Sequence, residues 1–326
     1  MKSWLTENFS IKYPIIMAPM FLVSNEEMIC AATKAGIMGC IPALNWRTTE
    51  EFETAMKHLK MNCKGPFGIN LIVNKSNLKL KDQIAVCKKY QPDFIITSLG
   101  SPEETIKECQ SDKCKIICDV TDSSFAKKVE DLGADAIIAV NSGAGGHAGK
   151  IPPSILIPKL KQVTKLPIIS AGGVGESSGM LSMLALGVEG LSIGTPFIAT
   201  RECNVNEEYK DACIKYDSSD IVMTTKISGT PCTIINTPYV KKIGTNQNAI
   251  ESFLSKNKKI KKFAKAITYY KGMKALEKAA FAGSYKTLFC AGPSLEFTTK
   301  QQSVDEVVNN IVKDLETEKE NLLAKF

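Results

Sequence analysis

Eight short apolar segments along the first two hundred residues limit the folds that this chain can adopt. The segments are continuous and rich in Ile and Val, which is typical of strands buried on both faces of a parallel sheet. Successive segments begin roughly 20–30 residues apart, the length of one strand–helix unit. The predicted strands are residues 14–19, 38–43, 67–73, 94–99, 115–120, 136–140, 167–170 and 190–193.

The segments between these strands have helical periodicity, and several of them stop just before a glycine. Glycine commonly ends a helix because it adopts the left-handed conformation without a steric penalty. Eight such units predict a closed (β/α)8 barrel, the TIM barrel. An open doubly wound sheet is the alternative, but no Gly-x-Gly-x-x-Gly opens a helix near the first strand. The clearest helices before a glycine are 26–34, 124–132 and 178–186.

The pattern changes after the eighth predicted strand. Residues 210–290 are rich in lysine and mostly helical in pattern, with a β-like segment at 226–236. We predict a smaller, mainly helical insertion domain here, beside the barrel mouth. The barrel then comprises residues 1–209 and is completed by residues 291–326. Its last segment, 303–324, has valines and leucines at the spacing of one amphipathic helix.

Charge and composition exclude several classes of protein. The net charge of +7 comes almost wholly from lysine, because Arg47 and Arg201 are the only arginines. A nucleic-acid-binding protein usually has clustered arginines interleaved with aromatic residues, and this chain has neither. The one basic cluster, residues 255–265, has the pattern of a solvated helix face. We therefore predict a small-molecule substrate and no nucleic-acid partner.

The cysteines and the apolar segments indicate a cytoplasmic protein. The chain has eleven cysteines, an odd number, and no Cys-x-x-Cys pair, which favours reduced thiols. No apolar segment approaches the ~18–20 residues that span a bilayer. No His, Cys or Asp cluster has the spacing of metal ligands, so we predict no metal. Apolar helix faces are compatible with a homo-oligomer.

The sixth predicted strand leads into the most distinctive segment, residues 141–150, which reads NSGAGGHAGK. Glycines at a strand end let the backbone approach a ligand closely. His147 is one of only two histidines in the chain, and a histidine on such a loop can act as an acid or base near neutral pH. A structural glycine-rich connection is the alternative interpretation.

Two further glycine turns follow the seventh and eighth predicted strands, where barrel enzymes often bind phosphate. The first contains Gly172 and Gly173, and the second contains Gly194 and Thr195. Both turns offer backbone N–H groups, and a helix beginning after Glu176 would point its positive end at an anion. The paired turns predict a phosphate site.

Residues that suit a flat polar ring follow other strands. Met20 ends a stiff apolar segment after the first strand, and the Asn70 amide can donate and accept hydrogen bonds. Asp119, at the end of the fifth strand, either faces the ligand or caps a helix. A phosphate together with a planar polar ring in a barrel mouth points to flavin mononucleotide (FMN).

With these motifs assembled, the chain resembles the nitronate monooxygenase family, which shares its fold with the FMN-dependent enoyl-acyl-carrier-protein reductases. The resemblance spans roughly the first two hundred residues, and Ala291-Gly292 continues it. One departure is Pro293-Ser294, where the family often has a glutamine after Ala-Gly; Ser294 is the candidate replacement. The motifs are residues 16–20, 68–70, 144–149, 171–174 and 194–197.

The resemblance implies roles for these residues. His147 matches the catalytic histidine of the family. The implied FMN-binding residues are Ala18, Pro19 and Met20 around the ring, Asn70 and Asp119 at polar positions, Ala144, Gly145 and Gly146 in the histidine loop, and Gly172, Gly173, Gly194 and Thr195 at the phosphate.

Three functions remain open at this point. The first is nitronate oxidation with O2 to a carbonyl compound and nitrite, in which His147 takes a proton from a nitroalkane. The second is NAD(P)H-driven reduction of an enoyl thioester or a quinone. The third is a non-redox barrel that binds a phosphorylated ligand.

Overall fold

The structure, a computed structural model, describes residues 1–225, 231–246 and 288–326. Eight parallel strands close into a barrel in the order β1–β2–β3–β4–β5–β6–β8–β9, with β9 paired to β1. The predicted (β/α)8 fold is confirmed, and every predicted barrel strand agrees with an observed one to within two residues. The strands are β1 (Ile15–Met17), β2 (Met38–Pro42), β3 (Phe67–Ile72), β4 (Phe94–Ser98), β5 (Lys115–Val120), β6 (Ala136–Val140), β7 (Gly146–His147), β8 (Ile168–Ala171), β9 (Gly190–Ile193), β10 (Ile221–Thr224) and β11 (Cys232–Ile235).

Helices follow the barrel strands and surround them. Several begin at a polar residue whose side chain accepts hydrogen bonds from the first-turn N–H groups, as Asn25 and Asp122 do. The helices in the described ranges are α1 (Trp4–Phe9), α2 (Glu26–Lys34), α3 (Thr49–Asn62), α4 (Leu80–Tyr90), α5 (Glu103–Cys109), α6 (Ser123–Asp131), α7 (Pro153–Val163), α8 (Ser177–Ala185), α9 (Glu207–Lys215), α10 (Pro238–Ile243), α11 (Val304–Val312) and α12 (Leu315–Leu323).

The barrel strands are buried on both faces, which accounts for their continuous apolar sequence. Alternate residues such as Ile16 point into the barrel, while their neighbours pack beneath the helices. Helix α1 closes the amino end of the barrel, where the Phe9 and Phe94 rings meet edge to face at 5.7 Å. A ligand therefore has access to the barrel from the carboxyl ends of the strands.

The C-terminal segment differs from the prediction. The single helix predicted over 303–324 is wrong, because α11 and α12 are separate helices divided near Lys313 and Asp314. The apolar face of α11 is buried at four positions, whereas α12 buries only Leu315. The apolar stripe thus ends with α11, and α12 continues as a largely exposed helix.

A small second sheet lies beside the barrel. Strand β10 pairs antiparallel with β11, and β11 pairs antiparallel with β7, in the order β10–β11–β7. Residues 226–230 of the predicted β-like segment lie outside the described residues. So do residues 247–287, including the basic cluster at 255–265. The division into a barrel and a helical insertion therefore stays a prediction. In the described ranges, no helix has the length and apolar character needed to cross a membrane.

Candidate active site at the barrel mouth

The ends of the first and last barrel strands meet at the carboxyl end of the barrel. The Ala18 N–H donates to the Ile193 carbonyl at 2.8 Å. A Cβ atom placed on Gly194 would lie 3.4 Å from Met20 Sδ. Ala18, Pro19 and Met20 are all partly exposed at this mouth, so apolar surface is available there to a flat ligand.

A chain of three polar side chains crosses the ends of β3, β4 and β5. Asn70 Nδ2 donates to the Ile96 carbonyl at 3.1 Å and to Ser98 Oγ at 2.8 Å. The Ser98 hydroxyl in turn donates to Asp119 Oδ2 at 2.5 Å. Both amide hydrogens of Asn70 are thus used within the protein, and its Oδ1 is left as an acceptor toward a ligand.

Asp119 carries a perturbed carboxyl group at the end of this chain. The side chain is only partly exposed. Desolvation raises the pKa of Asp119 to about 6, and the hydrogen bond from Ser98 opposes that rise. The structure therefore puts Asp119 at the mouth, bonded to a neighbouring strand rather than capping a helix.

The phosphate turns predicted after β8 and β9 lie side by side. Strand register pairs Ala171 with Ser192, so Gly173 lies level with Gly194. Among the described residues, the N–H groups of Gly173, Gly194 and Thr195 have no acceptor within hydrogen-bond distance. The Thr195 hydroxyl accepts from the Gly292 N–H at 2.9 Å and retains its own hydrogen. These donors fit an anion such as a phosphate.

The sequence predicts that helix α8 points its first N–H groups at this anion, but two of these groups are already bonded. The Glu176 carboxylate caps α8 and accepts from Gly179 N at 2.6 Å and from Ser178 N at 2.9 Å. These bonds lower the pKa of Glu176 despite its partial desolvation, so the cap stays ionised. Because the cap occupies the positive end of α8, the anion donors are those of the two turns.

The His147 loop, residues 141–149, is fixed at its base by Asn141, which is fully buried. The Asn141 amide accepts from Gly143 N at 2.7 Å and donates to the Gly172 carbonyl at 3.1 Å. It also approaches Ser170 Oγ at 3.3 Å. One side chain therefore connects the histidine loop to the phosphate turn.

Residues from much later in the chain hold the upper part of the His147 loop. A Cβ atom on Gly145 would lie 2.8 Å from Thr195 Oγ1 and 2.9 Å from Gly292 N, so a larger residue would not fit there. The Thr233 hydroxyl donates to the Ala144 carbonyl at 2.8 Å. The structure thus brings Ala144 and Gly145 against the phosphate turns and the C-terminal segment, while Gly146 lies opposite Thr233 on β11.

His147 is accessible at the mouth, yet the atoms around it displace much of the water from the imidazole. This desolvation lowers the pKa of His147 below its ordinary value. A lowered pKa makes the neutral imidazole predominant at pH 7, and that form accepts a proton. The local arrangement therefore suits a base.

Other chemistry has less support in this part of the molecule. In residues 1–225, 231–246 and 288–326, no group of three His, Cys, Asp or Glu side chains could hold a metal ion. The second histidine, His58, is exposed on α3. Ser294 is buried in the 3-10 helix Pro293–Phe297.

Two residues of the site, Ser98 and Thr233, were not predicted from the sequence, because neither belongs to a motif.

Known proteins resemble this chain along most of its length. A family profile described as nitronate monooxygenase matches residues 2–82 and 77–314. A probable nitronate monooxygenase of Staphylococcus aureus is 26% identical over 310 residues, which cover 81% of this chain and 87% of that protein. A hydroxy-methyl-oxo-octahydro-indene carboxyl-CoA dehydrogenase of Rhodococcus jostii is 26% identical over 248 residues, covering 76% of this chain and 69% of that protein.

Solved structures share the architecture. FabK from Thermotoga maritima aligns with a TM-score of 0.87, 25% identity and 100% coverage of both chains. A nitroalkane oxidase from Streptomyces ansochromogenes shares the fold, with a TM-score of 0.79 at 20% identity and coverage of 98% and 99%. The family match spans the barrel, the histidine loop and the phosphate turns together. The chain therefore belongs to the nitronate monooxygenase family of flavin-dependent oxidoreductases.

Proposed function

We propose that this enzyme is an FMN-dependent nitronate monooxygenase of the cytoplasm, which oxidises alkyl nitronates and nitroalkanes with O2 to carbonyl compounds and nitrite. The observation that carries the proposal is the state of His147. Its imidazole is accessible at the mouth and its pKa is lowered by desolvation. A neutral imidazole is the form needed to remove a proton from a nitroalkane, whereas a proton donor to a thioester would need the charged form.

The residues of the mouth fit FMN as the cofactor. The N–H groups of Gly173, Gly194 and Thr195 would hold the phosphate, since these donors have no other acceptor among the described residues. The partly exposed surface of Met20 would lie against the ring. Asn70 Oδ1 would accept a hydrogen bond from a ring N–H, because its amide hydrogens are already bonded.

The chain's own residues handle the proton and the orientation of the substrate. His147 takes the proton from the carbon next to the nitro group, which leaves the nitronate. Asn141 and Thr233 hold the loop that carries His147. When bound, the flavin supplies the electron acceptance that oxidises the nitronate, and O2 completes the reaction.

The experiment is an anaerobic visible spectrum of the flavin-loaded protein, recorded after separate additions of ethyl nitronate, NADH and NADPH. We expect the oxidised-flavin band to bleach with the nitronate and to persist with both nucleotides. Rapid bleaching by NADH or NADPH without a response to nitronate would replace this function with a nicotinamide-driven reductase. A protein that binds no flavin would support the non-redox alternative.

The reductase is retained as the second candidate for one reason. The Rhodococcus relative is named as a dehydrogenase of a carboxyl-CoA compound, at the same 26% identity as the nitronate monooxygenase relative. Under this alternative, NAD(P)H would reduce the flavin and a thioester would accept the electrons. Turnover of a short enoyl-CoA with NADPH, measured beside nitroethane turnover with O2, separates the two.

A further inference from the structure

The loop that carries His147 is held from two opposite sides. Asn141 fixes its base within the barrel. On the other side, Thr233 on β11 donates its hydroxyl hydrogen to the Ala144 carbonyl at 2.8 Å, with the Gly146 carbonyl at 3.3 Å. Thr233 is only 4% exposed, so water does not compete for this bond.

The backbone pairing at this place is short. Strand β7 has two residues, with Thr233 opposite Gly146 and Cys232 opposite His147. A two-residue strand makes few ladder bonds, so a buried side-chain bond to the same turn carries a large share of the restraint. The turn also contains adjacent glycines, which restrict its backbone least.

We propose that Thr233 is a positioning residue, whose hydroxyl holds the turn at residues 144–146 closed and so fixes the imidazole of His147 at the mouth. The proposal rests on the proposed role of His147 as a base. It assigns part of the active site to β11, a strand that lies outside the barrel.

Among the described residues, the titratable side chain opposite His147 on the neighbouring strand introduces no charge beside the imidazole. Cys232 is the residue opposite His147 on the partner strand. The contact with the Cys290 thiol, together with burial, raises the pKa of Cys232 well above its usual range, so that the thiol stays neutral. Desolvation lowers the pKa of His147. Loss of the Thr233 hydrogen bond should therefore admit water to the imidazole and raise that pKa.

The test compares Thr233→Val, which removes the hydroxyl at nearly constant volume, with Thr233→Ser, which keeps it. Thr224→Val is the matched control. Thr224 lies on β10, two strands from β7 in the same sheet, is 2% exposed and donates to the Thr245 carbonyl at 2.8 Å. Two readouts are used: turnover, and NMR titration of ring-labelled histidine.

The histidine titration needs no enzymatic activity. The chain contains only two histidines, so His58→Gln assigns both signals. In Thr233→Val we expect the His147 pKa to rise toward its ordinary value, because water then reaches the imidazole. We also expect kcat with neutral nitroethane to fall about 5–10-fold, the effect of one buried hydrogen bond, and turnover of preformed nitronate to persist. Thr233→Ser and Thr224→Val should match the wild type.

An unchanged His147 pKa and kcat in Thr233→Val would overturn the proposal, as would equal losses in Thr233→Val and Thr224→Val. If Thr233→Val folds poorly, Thr233→Ala removes the same hydroxyl without placing a methyl group at its buried position. The two readouts of Thr233→Ala are then compared with those of Thr233→Ser. If no nitroalkane is turned over by the wild type, the proposed function fails, while the NMR titration still decides the role of Thr233.

Discussion

The two sides of the barrel mouth are held by different kinds of contact. On the side of β3 to β5, Asn70, Ser98 and Asp119 bond to one another across neighbouring strands, at sequence separations of 28 and 21 residues. On the other side, Thr233 reaches the His147 loop from 89 residues later in the chain. Gly292 reaches Thr195 from 97 residues later.

The two kinds of contact predict different consequences for cofactor binding and for proton transfer. Strand register alone brings the members of the polar chain on β3 to β5 together. The His147 loop is held in addition by Thr233 and Gly292, which come much later in the chain. Changes on the first side should therefore alter flavin binding without altering proton removal, whereas the second side carries both His147 and the phosphate turns.

Replacing His147 should have the greatest effect and should separate proton removal from cofactor binding. His147→Ala should keep bound FMN, because the phosphate turns and Asn70 do not depend on the imidazole. Its kcat with neutral nitroethane should fall about 10²–10⁴-fold, the usual contribution of a general base. Oxygen consumption measures the turnover, and the absorbance ratio of flavin to protein measures the cofactor.

Preformed ethyl nitronate is the control substrate for this variant, since its proton has already been removed. We expect His147→Ala to oxidise it at a rate close to wild type. His58→Gln, at an exposed histidine on α3, controls for loss of a histidine elsewhere. Equal losses on nitroethane and on nitronate would remove His147 from the role of base.

The barrel could be predicted from the sequence because its signals are local. Each strand is a continuous apolar run with the length of a buried strand, and the helices between them stop at Gly36, Gly133 and Gly187, which all have positive φ. The helix predicted over 303–324 failed because its break depends on which residues are covered by the barrel. That packing is a tertiary property and leaves no local pattern.

The site could be predicted wherever a distinctive residue type directly follows a predicted strand. Glycine turns and His147 follow strands, so their meeting at one end of the barrel could be inferred. Ser98 and Thr233 were missed, because a lone hydroxyl residue in a strand is usually structural. The Glu176 cap was also missed, since the sequence does not show that a glutamate will fold back onto its own helix.

The next largest effect is expected in the phosphate turn after β8. Gly172 has a φ of 114°, and a Cβ atom there would lie 2.3 Å from Ala144 N. Gly173 has a φ of 81° and no atom within 4 Å of such a Cβ. Gly172→Ala should cost about 3 kcal/mol in unfolding free energy from strain plus overlap, and Gly173→Ala about 1 kcal/mol from strain alone.

Urea unfolding of the two glycine variants measures these costs, and FMN titration by fluorescence quenching measures the cofactor site. We expect weaker FMN binding in Gly172→Ala than in Gly173→Ala. Identical losses in the two variants would mean that backbone strain alone, and not the contact with Ala144, limits the turn.

Asn141 tests the link between the His147 loop and the phosphate turn after β8. Asn141→Ala leaves the partly buried Gly143 N–H and Gly172 carbonyl without their partner, which should cost about 2 kcal/mol in unfolding free energy. Because the side chain joins both loops, FMN affinity and nitroethane turnover should fall together. A loss of turnover with unchanged FMN affinity would show that the phosphate turn does not depend on the His147 loop.

The weakest of these effects should come from Asp119, on the side of β3 to β5. Desolvation raises the pKa of Asp119 from its ordinary 3.8 to about 6, so the folded chain holds this proton more tightly than the unfolded chain. Stability from this group therefore falls as the pH rises from about 4 to 6 and stays lower above 6.

Asp119→Asn keeps an acceptor for Ser98 but cannot ionise. Its Tm should equal that of the wild type near pH 4 and exceed it by a few degrees at pH 7, as scanning fluorimetry would measure, with the nitroethane kcat unchanged. A Tm difference that does not vary with pH would mean that Asp119 does not titrate in this range, and a lower kcat would tie this side of the mouth to proton removal as well.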